Sequence, residues 1–274
     1  MCMSSAPAKL TDTIVFAGKC PDGDHLLGYQ NTVESFSKDS VNSMILPIPS
    51  AVKMSRLNML DTSECPDMLK NIAEQLFATL SFNSRGMMKG FDSRSVEIFK
   101  SGNYTVILAE NGSDIPNALK QISENERPNI RQDLCDTLTK YYPGWWMACC
   151  IWSGNAKIKN HPILWKYTPI NKNYLFMPGL DSHDGGPPDV NKLIKRDHTF
   201  IVGREPEEYS SFNSILNKLP THLKEVMPKN FFGKKNSRNC EQNCDWFVKS
   251  DGSDQRLIEA KPIGYVKSLF GDTF

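Results

Sequence analysis

The side chains best suited to chemistry lie close together in the second half of the chain. They are two histidines and three aspartates, namely Asp181, His183, Asp184, Asp197 and His198. If a strand runs through Asp181 and His183, both side chains project from one face, because side chains alternate along a strand. A second strand starting at Asp197 and His198 would place another imidazole and carboxylate beside them. The pattern indicates a binding site at these five residues.

This cluster has three interpretations, of which two are functional and one is structural. His183, His198 and Asp181 are the ligand types that iron, zinc or manganese accept, so they form a candidate metal site. Without a metal, an imidazole and a carboxylate suit proton transfer near neutral pH. The structural alternative is a sharp loop, since Asp, Gly and Pro fill residues 181–189 and favour turns. The loop interpretation is favoured because no third ligand is identified in a distant segment, and whether a cofactor is bound stays open.

Two further patterns suggest binding with less support. Cys240 and Cys244 have a spacing found in zinc sites, but a structural zinc site needs a second such pair. Lys234, Lys235 and Arg238 lie near two phenylalanines, a combination that binds single-stranded nucleic acid. A solvated loop is the more common cause of that pattern, so nucleic-acid binding is not expected.

Composition limits the class of protein. The chain has 274 residues, of which 39% are hydrophobic and 23% charged, with a mean hydropathy of −0.42. These values exclude fibrous, disordered and membrane-spanning classes. The net charge of +1 provides no long-range field toward nucleic acid or an anionic membrane. The first residues lack an apolar run of signal-peptide type, so we expect a soluble cytoplasmic protein with eight reduced cysteines.

The hydrophobic pattern predicts an α+β fold with a mixed, mostly antiparallel sheet. Strands are expected near residues 13, 44, 104, 146, 163, 174 and 198, and helices at about 66–79, 115–123 and 129–141. The unbroken apolar run at residues 145–152 predicts a central strand covered on both faces, with its tryptophans in the core. We expect a core domain at residues 1–203 and a C-terminal extension at 204–274 packed on it.

Several short stretches resemble a group of uncharacterised soluble proteins, mostly bacterial. They are residues 29–31, 44–49, 61–63, 161–163, 167–169, 175–178 and 197–198. The resemblance spans roughly residues 25 to 203 and implies a self-contained globular body. It implies no activity and no catalytic residue.

The expected function is non-enzymatic binding or regulation inside the cell, with an unknown protein or small-molecule partner. The chain lacks the sequence signatures of phosphate-binding loops, dinucleotide sites, nucleophile elbows and zincin helices. It also offers many aromatic and amide side chains for contacts. The alternative is a metal-assisted enzyme, hydrolytic or oxidative, that uses Asp181, His183, Asp184 and His198. Membrane binding is not expected, and the oligomeric state stays open.

Overall fold

The computed structural model describes residues 2–36, 41–77, 96–153, 157–205, 212–236 and 240–262. The strands are β1 Cys2–Ser4, β2 Ala8–Lys19, β3 His25–Ser35, β4 Val41–Ile48, β5 Glu97–Ser101, β6 Tyr104–Ala109, β7 Trp146–Ser153, β8 Ile158–Lys159, β9 Ile163–Tyr167, β10 Tyr174–Met177, β11 Asp181–Ser182, β12 Leu193–Ile194, β13 Thr199–Arg204, β14 Asn230–Lys235, β15 Glu241–Gln242, β16 Asp245–Lys249 and β17 Ile258–Ala260. The α-helices are α1 Met68–Phe77, α2 Ile115–Leu119, α3 Gln132–Tyr141, α4 Asn213–Leu216 and α5 Thr221–Lys224.

Two six-stranded sheets form the body of the protein. The first sheet has the order β11-β1-β4-β7-β6-β5, and the second has β14-β13-β2-β3, with both β8 and β9 paired to β3. Two smaller sheets contain β10-β16-β17 and β12-β15. Among the described pairs, only β1 with β11 and β2 with β13 are parallel. The α+β class with mixed, mostly antiparallel sheets is therefore confirmed.

The main core lies around β7, which is the central strand of the first sheet. This strand pairs with β4 along its whole length and with β6 over most of it. Trp145, Trp152 and Trp165 are buried, and the ring of Trp145 meets that of Phe176 edge-on at 4.9 Å. The prediction that this tryptophan-rich segment is interior is confirmed, because apolar neighbours cover both faces of β7.

Helices cover further faces of the two sheets. Leu69 and Ile72 of α1 lie at helical spacing and pack with Phe16 of the second sheet. In α3, Leu134 and Leu138 join the core of the first sheet. A helix is found at each of the three predicted places, although α2 ends at Leu119, before the predicted residue 123, and residues 78–79 lie outside the described residues. Within the described residues, no helix combines the length and apolar character needed to cross a bilayer.

Strand β3 is the largest element that the hydrophobic pattern did not reveal. It pairs with β2 in a long hairpin that contains a bulge between Thr11 and Ile14. Its alternation is hidden because Gln30 is a buried polar residue, whose amide donates to the carbonyl oxygens of Pro66 and Asn160 at 2.9 and 3.0 Å. Burial of a polar side chain is tolerated there because those hydrogen bonds replace water.

The chain after residue 203 supplies strands to sheets that begin earlier. The expected boundary falls inside β13, whose six residues all pair with β14. Likewise β16 pairs with β10, so residues 246–248 join a sheet that begins earlier in the chain. The chain between β9 and β10 is not a hairpin, because β9 pairs with β3 and β10 with β16. The division into two domains stays a prediction.

Candidate functional site

The structure brings three of the five predicted site residues together. Oδ1 of Asp181 lies 3.6 Å from Nε2 of His183 and 3.9 Å from Nε2 of His198. Asp181 belongs to β11 and His198 directly precedes β13, so the two strand ends meet at this cluster. Both distances exceed that of a hydrogen bond, so the contacts are electrostatic. Asp197 lies on the other side, with Oδ1 3.7 Å from Nδ1 of His198.

Asp184 has a structural role in the same loop. Its Oδ1 accepts hydrogen bonds from Oγ of Ser182 and from the backbone N–H of Gly186, both at 2.9 Å. These bonds lower the pKa of Asp184 below its ordinary value. The carboxylate therefore closes the turn and does not face the two imidazoles, as the loop interpretation predicted for residues of this type.

The charge on Asp181 is set by opposing effects. Burial acts to raise the pKa of Asp181, but opposing effects that include those of His183 and Arg196 outweigh it and hold that pKa well below its ordinary value. Arg196 is itself buried, and its Nη2 donates to the carbonyl oxygen of Gly179 at 2.7 Å. Asp181 is thus an ionised carboxylate inside a cluster of cationic and ionisable groups.

Most of this cluster is closed to solvent. The exposed fraction of the side chain is 4% for His198 and 8% for Asp181, whereas it is 38% for His183. A macromolecule would therefore contact His183 and little else of the three. Within the described ranges, no group of three or more His, Cys, Asp or Glu side chains is placed to hold a metal ion. The metal site and the metal-assisted enzyme stay predictions, as does ligand binding at the five residues.

The structure describes both cysteines and two of the three cations of the weaker sequence patterns. Cys240 is exposed, whereas Cys244 is buried. Lys234 and Lys235 are exposed on β14, and Nζ of Lys234 lies 5.6 Å from the ring centre of Trp246. Arg238 lies outside the described residues. Lys234 of the protein itself thus lies over the ring of Trp246.

A groove that sequence reasoning missed lies at one end of the first sheet, where β4 and β6 end and β7 begins. It has a volume of ≈ 620 Å³ and is lined by three separate segments, at residues 50–53, 110–113 and 139–146. Binding sites for small ligands typically enclose about 300–1,000 Å³. No motif connects these segments in the sequence, because only the sheet order β4-β7-β6 brings them together.

One wall of the groove belongs to the rim loop, which we define as residues 49–59. Its backbone is tied to the body at both ends. The N–H of Ala51 donates to the carbonyl oxygen of Thr168 at 2.8 Å, and the side-chain amide of Asn58 donates to that of Lys166 at 2.9 Å. Both ends of the rim loop are therefore attached to the chain around β9.

The rim loop exposes two apolar side chains. Val52 is 48% exposed and Leu57 is 68% exposed, while Met54 between them is buried and anchors the loop. Ser55 caps the short 3-10 turn that carries Leu57, since Oγ of Ser55 accepts a hydrogen bond from the N–H of Leu57 at 3.2 Å. Single exposed apolar residues are common on protein surfaces. Val52 also lines the groove, whereas Leu57 is exposed elsewhere on the same loop.

The remaining walls are also preformed. Gly112 packs so closely on α3 that a Cβ atom there would lie 2.7 Å from the carbonyl oxygen of Cys135 and 2.9 Å from Oγ1 of Thr139. Gly144, with φ of +73°, allows the turn that leads into β7. Trp146 at the start of β7 is buried and lines the groove between these walls. The groove thus needs no rearrangement to exist.

Comparison with known proteins shows no match to a family model and none to a curated protein. Among solved structures, the chain is similar to baculovirus P35, with a TM-score of 0.46, 15% identity, and coverage of 89% of this chain and 88% of that chain. It is also similar to a mutated baculovirus P35 after caspase cleavage, with a TM-score of 0.47, 14% identity, and coverage of 87% and 97%. At these TM-scores the likeness assigns no function. The resemblance to a bacterial group stays a prediction.

Proposed function

We propose that this chain is a non-enzymatic protein-binding protein that holds a segment of a partner protein in the groove. Val52 and Leu57 of the rim loop are the apolar contacts. The observation that carries the proposal is that the body of the protein anchors this loop while leaving both side chains exposed, with Val52 in the wall of a preformed groove.

A fixed loop favours binding because little conformational entropy is lost when the partner arrives. Full burial of a Val or Leu side chain contributes roughly 1.5–3 kcal/mol. Scaled by the exposed fractions of 48% and 68%, complete coverage of Val52 and Leu57 would contribute about 2–3 kcal/mol. That free energy corresponds to roughly 30- to 200-fold in the dissociation constant.

The position of Leu57 favours a polypeptide partner over a small molecule. Val52 lines the groove, but Leu57 does not. A ligand that covers both side chains must therefore extend beyond the groove along the rim loop. A polypeptide segment reaches that far, whereas a compact ligand that fills the groove does not.

The proposal is tested by selecting peptides from a random display library on the immobilised chain. Enriched peptides are then measured by fluorescence anisotropy against the wild type and a Val52→Ala, Leu57→Ala double variant. Leu193→Ala is the matched control, because Leu193 is 58% exposed but lies on β12, outside the groove.

We expect the double variant to bind roughly 30- to 200-fold more weakly and the control to bind within about twofold of wild type. Enrichment no greater than on an unrelated protein would overturn the proposal. Equal affinity of wild type and double variant, with both folded by circular dichroism, would do the same.

A further inference from the structure

Two charged side chains of opposite sign line the groove. Lys53 belongs to the rim loop, and Glu110 directly follows β6. Both residues are exposed, and neither side chain has a hydrogen bond or ion pair with another residue in the part of the chain that the structure describes. By contrast, Lys166 of β9 is paired with Asp22 and Asp24. Lys53 and Glu110 are thus available to a ligand.

The two charges lie on opposite walls. Lys53 follows β4 and Glu110 follows β6, with Trp146 of β7 between them. This order follows from the pairing of Ile48 with Trp146 and of Ala109 with Met147. β7 separates β4 from β6 in the sheet, so the two charged residues reach the groove from opposite sides of β7.

An extended segment presents successive side chains to opposite sides. A segment that runs between these walls therefore directs one side chain toward Lys53 and its neighbour toward Glu110. We infer that the groove recognises an extended segment of a partner protein that carries an acidic side chain for Lys53 and a basic side chain for Glu110, an odd number of positions apart. This inference rests on the proposed function and specifies its partner.

The expected effect is modest because both charges are exposed. One exposed ion pair changes affinity by about 1.5- to 5-fold, and the change is screened by salt. Charge complementarity of this kind contributes mainly to the choice of partner, because a like charge at the same position is repelled. The apolar rim loop supplies most of the affinity, and the charges select the sequence.

The test uses the display-selected peptides and their charge-reversed versions. Lys53→Glu and Glu110→Lys are compared with two matched controls, Lys100→Glu and Glu259→Lys. Lys100 is exposed on β5, opposite Thr105 and thus toward the other end of β6, and Glu259 is exposed on β17, so both change the net charge equally without touching the groove.

We expect selected peptides to carry an acidic and a basic residue at odd spacing. We expect Lys53→Glu to weaken binding about 3-fold in 50 mM salt, and to bind better than wild type when the peptide's acidic residue becomes Lys. Both effects should shrink in 500 mM salt. The controls should leave binding within about 1.5-fold.

Two negative results are distinguishable. If the Val52 and Leu57 substitutions weaken binding but charge reversal at Lys53 and Glu110 does not, the charge inference fails and the proposed function stands. If neither pair of substitutions changes binding, the proposed function fails as well. A loss with Lys53→Glu that is the same for peptides with and without the acidic residue would also overturn the inference.

Discussion

Replacement of His25 by Phe should change how stability depends on pH. His25 is fully buried, and its ring meets that of Tyr167 edge-on at 6.0 Å, a contact that Phe retains. Burial, together with the charge on Lys19, lowers the pKa of His25 from 6.5 to about 4, against the opposing effects of the Lys172 backbone and Asp24. The folded protein therefore keeps this imidazole neutral at pH 5.

The direction and size of the effect follow from proton linkage. Between pH 6.5 and 4 the unfolded chain binds a proton at His25 that the folded protein does not, so stability falls as the pH falls through this window. One pKa unit corresponds to about 1.4 kcal/mol, which makes the total loss roughly 3 kcal/mol at pH 4. The Phe variant lacks this loss.

The assay must compare the variant with wild type, because another buried group acts in the opposite direction. Burial raises the pKa of Asp245 to about 6, even though Gly179, Tyr142 and Leu180 donate hydrogen bonds to it. Between pH 3.8 and about 6 the folded protein thus binds a proton at Asp245 that the unfolded chain does not. The stabilisation from this proton is lost as the pH rises through that range. The two effects partly cancel in the wild-type profile.

Urea unfolding followed by tryptophan fluorescence at pH 7.5, 6, 5 and 4 measures the difference directly. We expect the free energy of unfolding of His25→Phe to gain roughly 3 kcal/mol relative to wild type between pH 7.5 and pH 4. His222→Gln is the control, because His222 is exposed and contacts only the carbonyl oxygen of Asp61 among the partners seen. A variant-minus-wild-type difference that is the same at pH 4 and pH 7.5 would refute the reasoning.

Three further substitutions test the walls and the buried cluster, each by urea unfolding. Gly112→Ala should lower the free energy of unfolding by about 1–3 kcal/mol, because the added Cβ would collide with α3. An unchanged free energy of unfolding would contradict the close packing of Gly112 on α3. Tyr142→Phe removes the donor to buried Asp245 and should cost about 1–3 kcal/mol at pH 7.5, and an unchanged midpoint would contradict this. Asp181→Asn should cost about 1–3 kcal/mol at pH 7. Because the pKa of Asp181 is lowered in the folded protein, this cost should shrink as the pH falls from 3.8 toward the lowered pKa; a pH-independent cost would count against the cluster.

The elements predicted with success were those whose hydrophobic pattern is local. The run at residues 145–152 became β7, and the apolar positions 134 and 138 became the inner face of α3, because burial on both faces or on one helical stripe leaves its period in the sequence. Pro47 has no N–H to donate, yet it stays in β4 and pairs with Met147 of β7.

The candidate sites were harder to predict because their geometry depends on long-range pairing. Strand alternation brought Asp181 near His183, but it gave no sign that β1 and the residues around Arg196 would enclose the carboxylate. The groove left no signal at all. Val52, Glu110 and Trp146 are ordinary residue types, and the order of three strands in the first sheet is what places them side by side.

Backbone chemical-shift mapping of a display-selected peptide on the isotope-labelled chain tests the central claim most directly. The account predicts that the largest shifts fall in residues 49–59, 110–113 and 139–146, and that they disappear in the Val52→Ala, Leu57→Ala variant but persist in Leu193→Ala. Largest shifts at residues 181–198, with the rim loop unchanged, would contradict it and return the binding site to the aspartate and histidine cluster.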